Sequence, residues 1–205
     1  MKQTETGENL LERAIGFAAM KHAGQKRKGT TIPYITHVIE AMEIVCRMTE
    51  DEELRAAAVL HDTLEDTGTA KEELVRNFGQ RVADLVAAES EDKREDRPAE
   101  STWMERKQET ISHLAGAATE IRMIALGDKL SNVRAMAKDY REIGEELWQR
   151  FNMKDPILQG MYYGQLANVF HGDEKIRETD AYREYIQLCA EVFSGEYDGN
   201  GNRIG

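Results

Sequence analysis

Apolar side chains recur along this chain every three or four residues and nowhere alternate over a strand's length. Residues 9–23 set Leu10, Leu11, Ala14, Ile15, Phe17, Ala18 and Met20 on one side of a predicted helix. GQKRKGTTIP interrupts it with two glycines and Pro33, the signature of a loop. From His37 to Arg47 the stripe resumes through Val38, Ala41, Met42, Val45 and Cys46, with Thr36 as predicted N-cap. Thr49 is the predicted cap of the next helix. Its first turn holds Glu50, Asp51, Glu52 and Glu53, where the helix dipole favours acids. That helix carries Ala56-Ala57-Ala58-Val59-Leu60 into His61-Asp62, and Thr67-Gly68-Thr69 breaks it. Further helices are predicted over 71–79, 81–90, 102–114, 119–137, 139–151, 156–171 and 177–194, with a charged loop over 91–100. The pattern predicts one all-α domain of roughly eight to ten helices over 9–194. A flexible stretch (1–8) precedes it and a loose tail (195–205) follows.

Composition narrows the functional classes. With 40% hydrophobic and 32% charged residues, the chain suits a globular domain with a core of its own. No apolar run approaches the roughly 18 residues of a membrane span, and the opening MKQTETGENL has no apolar signal core. Cys46 and Cys189 form no CxxC and read as buried thiols of a reducing cytoplasm. A net charge of −11 argues against general nucleic-acid binding. Positive charge is nevertheless gathered at 21–28, where Lys21, Lys26, Arg27 and Lys28 stand with no acid between them. Homo-oligomerisation stays open.

The densest candidate chemistry is His61-Asp62-Thr63-Leu64-Glu65-Asp66-Thr67, directly after an apolar run. Four ionisable groups beside a core segment are costly to bury without a compensating charge. On a helix His61 and Asp62 occupy adjoining sectors and can share one metal, while Glu65 and Asp66 follow one turn on. Two neighbours alone seldom hold an ion. His37, in PYITHVIEA, and Asp128, in IALGDKLSN, are the candidate ligands from elsewhere, with Lys129 and Asn132 flanking Asp128. Taken singly, each reads as a satisfied structural group; the order H…HDxxED…D is harder to reach by accident.

His37, His61-Asp62 and Asp128 resemble the H…HD…D pattern of the HD superfamily of metal-dependent phosphohydrolases. PYITHVIEA, LHDTLEDT, the stretch around EDKRE and LGDKLSNVRAM resemble in particular the hydrolase domain of Rel/Spo-type proteins and the small alarmone hydrolases, over about residues 9–194. The resemblance implies an HD-domain helical bundle. It also implies His37, His61, Asp62 and Asp128 as metal ligands, for an ion that is typically Mn²⁺. Glu65 and Asp66 then position and deprotonate the attacking water. Lys26, Arg27, Lys28 and Asn132 contact the substrate, a guanine nucleotide alarmone such as ppGpp. The implied reaction is 3′-pyrophosphohydrolysis. The alternatives are an HD-type nucleotidase or phosphatase acting on another nucleotide, NADPH for example, and a non-catalytic nucleotide sensor. Three places depart from the usual pattern: the filling of the basic loop (Gly29 to Ile32), Gly127 where alanine is common, and ESEDK at 89–93 in place of a VTDDK-like string.

Overall fold

The computed structural model describes residues 9–91, 94, 96–193, 196–197 and 203–204. Eleven α-helical segments run through the described residues. In chain order they are α1 (Leu10–Lys21), α2 (Ile35–Cys46), α3 (Glu52–Leu60), α4 (Thr63–Asp66), α5 (Lys71–Phe78), α6 (Gln80–Glu89), α7 (Ala99–Gly116), α8 (Thr119–Ile143), α9 (Pro156–His171), α10 (Glu174–Arg177) and α11 (Asp180–Val192). A 3₁₀ segment, Gly144–Arg150, joins α8 to the chain leading into α9, and Glu196–Tyr197 pairs antiparallel with Arg203–Ile204. The protein is an all-α bundle, as the apolar periodicity predicts. The first eight residues and the rest of the tail lie outside the described residues.

α3 explains how the bundle closes. Its residues Leu54, Ala56, Ala57, Ala58, Val59 and Leu60 are all buried, so it is apolar on every side, the mark of a central helix. The three alanines let α1, α2 and α6 approach it closely. Asp51 caps it, accepting from the Glu53 and Leu54 amides, while Thr49 Oγ1 accepts from the Asp51 amide. The cap is therefore Asp51 rather than Thr49, since a carboxylate at the positive helix end is the stronger partner. Thr36 is likewise not a cap. α2 begins at Ile35, and Thr36 Oγ1 donates to the Pro33 carbonyl.

α8 is the long strut of the fold, packing on α2, α3, α6 and α11. It runs unbroken through the point where the sequence suggests two helices, because residues around 138 carry no breaker. It ends at Gly144, whose φ of 57° lies in the positive region that glycine enters without a Cβ penalty. At Gly127 the approach to α2 leaves no room for a side chain. A Cβ there would stand 2.8 Å from the Ala41 carbonyl oxygen and 2.9 Å from Val45 Cγ2. α2 carries His37 and α8 carries Asp128, so this contact fixes the two candidate ligands at short range.

Candidate metal centre and its two cavities

α3 stops at Leu60, and α4 restarts only at Thr63. The two intervening residues are His61 (φ −52°, ψ −38°) and Asp62 (φ −90°, ψ −2°). Asp62 thus sits in the sparsely allowed bridge region that many active-site residues occupy. Thr63 Oγ1 donates to the Leu60 carbonyl and Thr67 Oγ1 to that of Thr63, which satisfies acceptors freed around the break. The continuous helix expected through Thr67 is thereby divided, and both His61 and Asp62 face the same centre.

There His37 Nε2 lies 3.2 Å from Asp128 Oδ1 and 3.5 Å from Asp62 Oδ2. His61 Nε2 lies 3.0 Å from Asp62 Oδ2 and 3.8 Å from Asp128 Oδ1. One donor atom each from His37, His61 and Asp128 fall within 4.8 Å of one another, close enough to share an ion. Asp62 touches both imidazoles and also accepts from the Tyr34 hydroxyl at 2.7 Å.

The hydrogen bonds behind the histidines select their tautomers. His61 Nδ1 is 2.8 Å from the Ala58 carbonyl, which can only accept, so the ring proton sits on Nδ1. His37 Nδ1 lies 2.8 Å from Ser131 Oγ, whose own hydrogen goes to Glu40 Oε2 at 2.7 Å. His37 therefore donates to Ser131. Both Nε2 lone pairs are left facing carboxylates, and buried His61 Nε2 has no hydrogen-bond partner among the described residues. A lone pair aimed at two carboxylates is repulsive unless a proton or a metal cation lies between them. The donor set thus fits a divalent metal, with the second partners that ligating histidines usually have.

Charge in the centre is tightly coupled. Burial disfavours the imidazolium of His61, but Asp62 and Asp128 outweigh it and hold its pKa well above the usual range. Burial likewise opposes ionisation of Asp62, where His61 and His37 prevail, and of Asp128, where Lys129 and the two histidines prevail. Both carboxyls stay well below the usual range. Lys129 Nζ bonds Asp128 Oδ2, and Asn132 Nδ2 donates to Asp128 Oδ1 at 2.6 Å. Asn132 thus braces a candidate ligand.

Two cavities meet at this cluster and share Tyr34, Lys107, Lys129 and Asn132 as common wall. One, of about 470 Å³, is acidic: Asp62, Glu65, Asp66, Glu89, Glu91, Glu109 and Asp128 line it against Arg106, Lys107 and Lys129. The other, of about 610 Å³, is basic. Arg27, Lys28, Lys107, Lys129, Arg134, Lys138 and Arg150 line it against Glu40 and Asp139, with Tyr34, Trp103, Phe151, Tyr162 and Tyr163 as aromatic surface. His61, Asp62 and Asp128 face the acidic side and His37 the basic side.

The structure brings Glu65 and Asp66 to the acidic cavity. Glu65 Oε2 accepts from the Glu91 amide at 3.1 Å, and the Asp66 carbonyl accepts from Gln25 Nε2 at 2.7 Å. The Glu91 side chain is itself clamped by Arg106, Lys107 and Thr110, so α7 steadies Glu65 through the chain between. Arg27 and Lys28 reach the basic cavity. Lys28 Nζ donates to Asn152 Oδ1 at 2.8 Å, and Gly29 packs under the Arg150 side chain. Lys26 is not among the residues lining either cavity; its backbone pairs with Pro33.

Tyr34, the Ser131–Glu40 pair, Tyr162 and the role of Glu89 escape the sequence reading. Lys129 flanks Asp128 in sequence as expected, and Glu89 opens the ESEDK string that departs from the usual pattern, though its place at the end of an ordinary amphipathic helix assigns it no role. Buried there, its carboxyl is pushed up to about 8, Lys129 only partly opposing this. His113 also lines the acidic cavity.

A family model described as "HD domain" matches residues 14–156. A zebrafish (Danio rerio) protein, guanosine-3′,5′-bis(diphosphate) 3′-pyrophosphohydrolase MESH1, is 37% identical over 159 residues, which is 74% of this chain and 83% of that protein. A guanosine-3′,5′-bis(diphosphate) 3′-pyrophosphohydrolase of Aquifex aeolicus is 38% identical over 129 residues, 62% of this chain but 18% of that longer protein. A solved structure from Listeria monocytogenes superposes with TM-score 0.67 at 28% identity, covering 82% of this chain and 99% of that one. The structure of a metazoan SpoT ortholog, described as hydrolysing ppGpp, superposes with TM-score 0.66 over 90% of this chain and 96% of that one. At 23% identity that likeness speaks for the fold.

Proposed function

Since the chain belongs to the HD domain family, we propose that it is a metal-dependent phosphohydrolase acting on guanosine 3′,5′-bis(diphosphate) and its pentaphosphate counterpart. It would release pyrophosphate from the 3′ position. The observation that carries the reading is the meeting of an acidic and a basic cavity at the His37, His61, Asp62 and Asp128 cluster. A bis(diphosphate) carries several negative charges, and the basic, aromatic cavity has the matching charge together with flat surfaces for a base. The acidic cavity repels phosphate and suits water.

His37, His61, Asp62 and Asp128 would hold the ion. Two imidazoles and two carboxylates suit Mn²⁺, which we take as the working metal. Such an ion supplies Lewis acidity at a phosphoryl oxygen and a lowered pKa for water. Arg27 and Lys28, from the loop pinned to the 3₁₀ segment, hold the substrate phosphates, with Lys26 adding to the field from behind. Asn132 keeps Asp128 in place at the shared wall. Glu65, held by the Glu91 amide, or Asp66 beside it, takes a proton from the attacking water. The new P–O bond forms to water oxygen, the bond to O3′ breaks, and O3′ leaves protonated as the hydroxyl of GDP or GTP. Cys46 and Cys189 are both free thiols, which suits our placement of the enzyme in the cytoplasm. Among the described residues no helix is long and apolar enough to cross a membrane.

The test is a substrate panel with Mn²⁺: ppGpp, GTP, nucleoside monophosphates and NADPH. Cleavage of ppGpp should be fastest, with pyrophosphate and GDP as products. A clear preference for any other member would overturn the substrate assignment.

A further inference from the structure

His37 can offer Nε2 to a metal only while its ring proton sits on Nδ1. That proton is placed by Ser131 Oγ, which is buried and 2.8 Å away. A hydroxyl is ambivalent: it can accept from Nδ1–H, or turn and donate to a bare Nδ1. Donation would move the ring proton to Nε2 and close that lone pair to a metal. Glu40, one turn along α2 from His37, removes the choice. Its Oε2 takes the Ser131 hydrogen at 2.7 Å, and a carboxylate can only accept. Glu40 is in turn fixed by Arg134 of α8, which donates from Nη1 to its Oε1 at 3.1 Å. Arg134 is gripped from α11, where its Nε and Nη2 each lie 2.7 Å from a carboxylate oxygen of Glu184. The hydrogen bonds thus run one way, from His37 to Ser131 to Glu40, and Arg134 closes the chain as donor.

We propose that Glu40 is a positioning residue of the metal centre: by claiming the Ser131 hydrogen it holds His37 in the tautomer whose Nε2 can bind the ion. It acts through Ser131 and touches neither ion nor substrate in this role. The assignment rests on the reading of His37 as a ligand, and on no particular substrate. Glutamine at this position would reverse the chain. Arg134 would claim the amide oxygen, the NH2 group would turn to Ser131 Oγ, and the hydroxyl would be driven to donate to His37.

The test is a Mn²⁺ titration of the wild type, Glu40→Gln, Ser131→Ala and the double variant, with free Mn²⁺ read by electron paramagnetic resonance. Glu40→Gln should raise the Kd by about tenfold or more, the usual cost of disturbing the partner behind a ligating histidine. In the Ser131→Ala background the same change should move the Kd by less than about twofold, because the effect passes through the hydroxyl that is no longer there. A role in folding, or the mere loss of a negative charge near a cation, would act equally in both backgrounds. An unchanged Kd in Glu40→Gln overturns the proposal. So does an increase as large in the Ser131→Ala background as in the wild type. A wild type that takes up no Mn²⁺ overturns the ligand set and this assignment with it. The titration uses no substrate, so a failed guanosine assignment and a failed Glu40 assignment are read separately.

Discussion

The two cavities at the histidine–aspartate cluster are similar in size and opposite in character. The acidic one draws its side chains from α4, α6, α7 and the His61–Asp62 break, and most of its carboxylates are held by the protein itself. Glu91 is clamped by three side chains of α7, and Glu65 is held by the Glu91 amide. The basic one draws on the loop before α2, on α8 and on the 3₁₀ segment, and it is faced with aromatic rings. On the proposed function the difference is a division of labour, with one side managing protons and the other holding an anion. Variants on the acidic side should act on kcat, and variants on the basic side on KM.

The sharpest way to break this division is to remove the joint. His61→Ala or Asp128→Ala should abolish bound metal, about one ion per chain in the wild type, and cut kcat/KM by about a thousandfold or more. Atomic spectrometry and steady-state kinetics check it together, and full occupancy in either variant would reject the ligand set. Next comes Glu65→Ala, expected to keep the ion and lose about 10²–10⁴ in kcat at nearly constant KM. Arg27→Ala and Lys28→Ala should do the reverse, raising KM by about tenfold with kcat within about threefold, because a uniform binding contact is lost. If they lower kcat instead, the basic cavity shares in the chemistry and the contrast collapses.

Two smaller effects probe the frame. Gly127→Ala should destabilise by about 1–3 kcal/mol in denaturant unfolding, because the added methyl meets the Ala41 carbonyl and the stiff, β-branched Val45 side chain. Asp51→Ala removes the α3 cap and should cost about 1 kcal/mol. Arg81 draws the Asp51 carboxyl down to about 2, so its contribution is present above the ordinary value of 3.8 and lost as pH falls toward 2. Unfolding titrations of wild type and Asp51→Ala should therefore converge in that acid window.

The all-α character was legible because its periodicity is local: a stripe every three or four residues needs only neighbouring side chains to be seen. His61-Asp62 and Asp128 were legible for a related reason, as ionisable groups abutting apolar runs. The break at His61 was not, since Ala56 to Asp66 contains no glycine or proline. It is made by threonine hydroxyls taking up freed carbonyls and by the pull of a shared centre. Thr36 and Thr49 were poor guides to caps, because a hydroxyl loses to a carboxylate two residues on and to a helix that begins earlier. Ser131 and Glu40 have no local mark. What sets each of them apart is what other helices bring against it.

The bare backbone at Gly127 limits how the centre can adapt. α2 and α8 already touch there, one residue from Asp128 and one turn from His37. Such a joint can be wedged apart but not drawn tighter. Accommodating a smaller ion would fall to side-chain rotamers, whereas a larger one could be met by spreading the two helices. Ion choice in this protein is then a lopsided property of the backbone, with a firm lower limit on ligand spacing and a softer upper one.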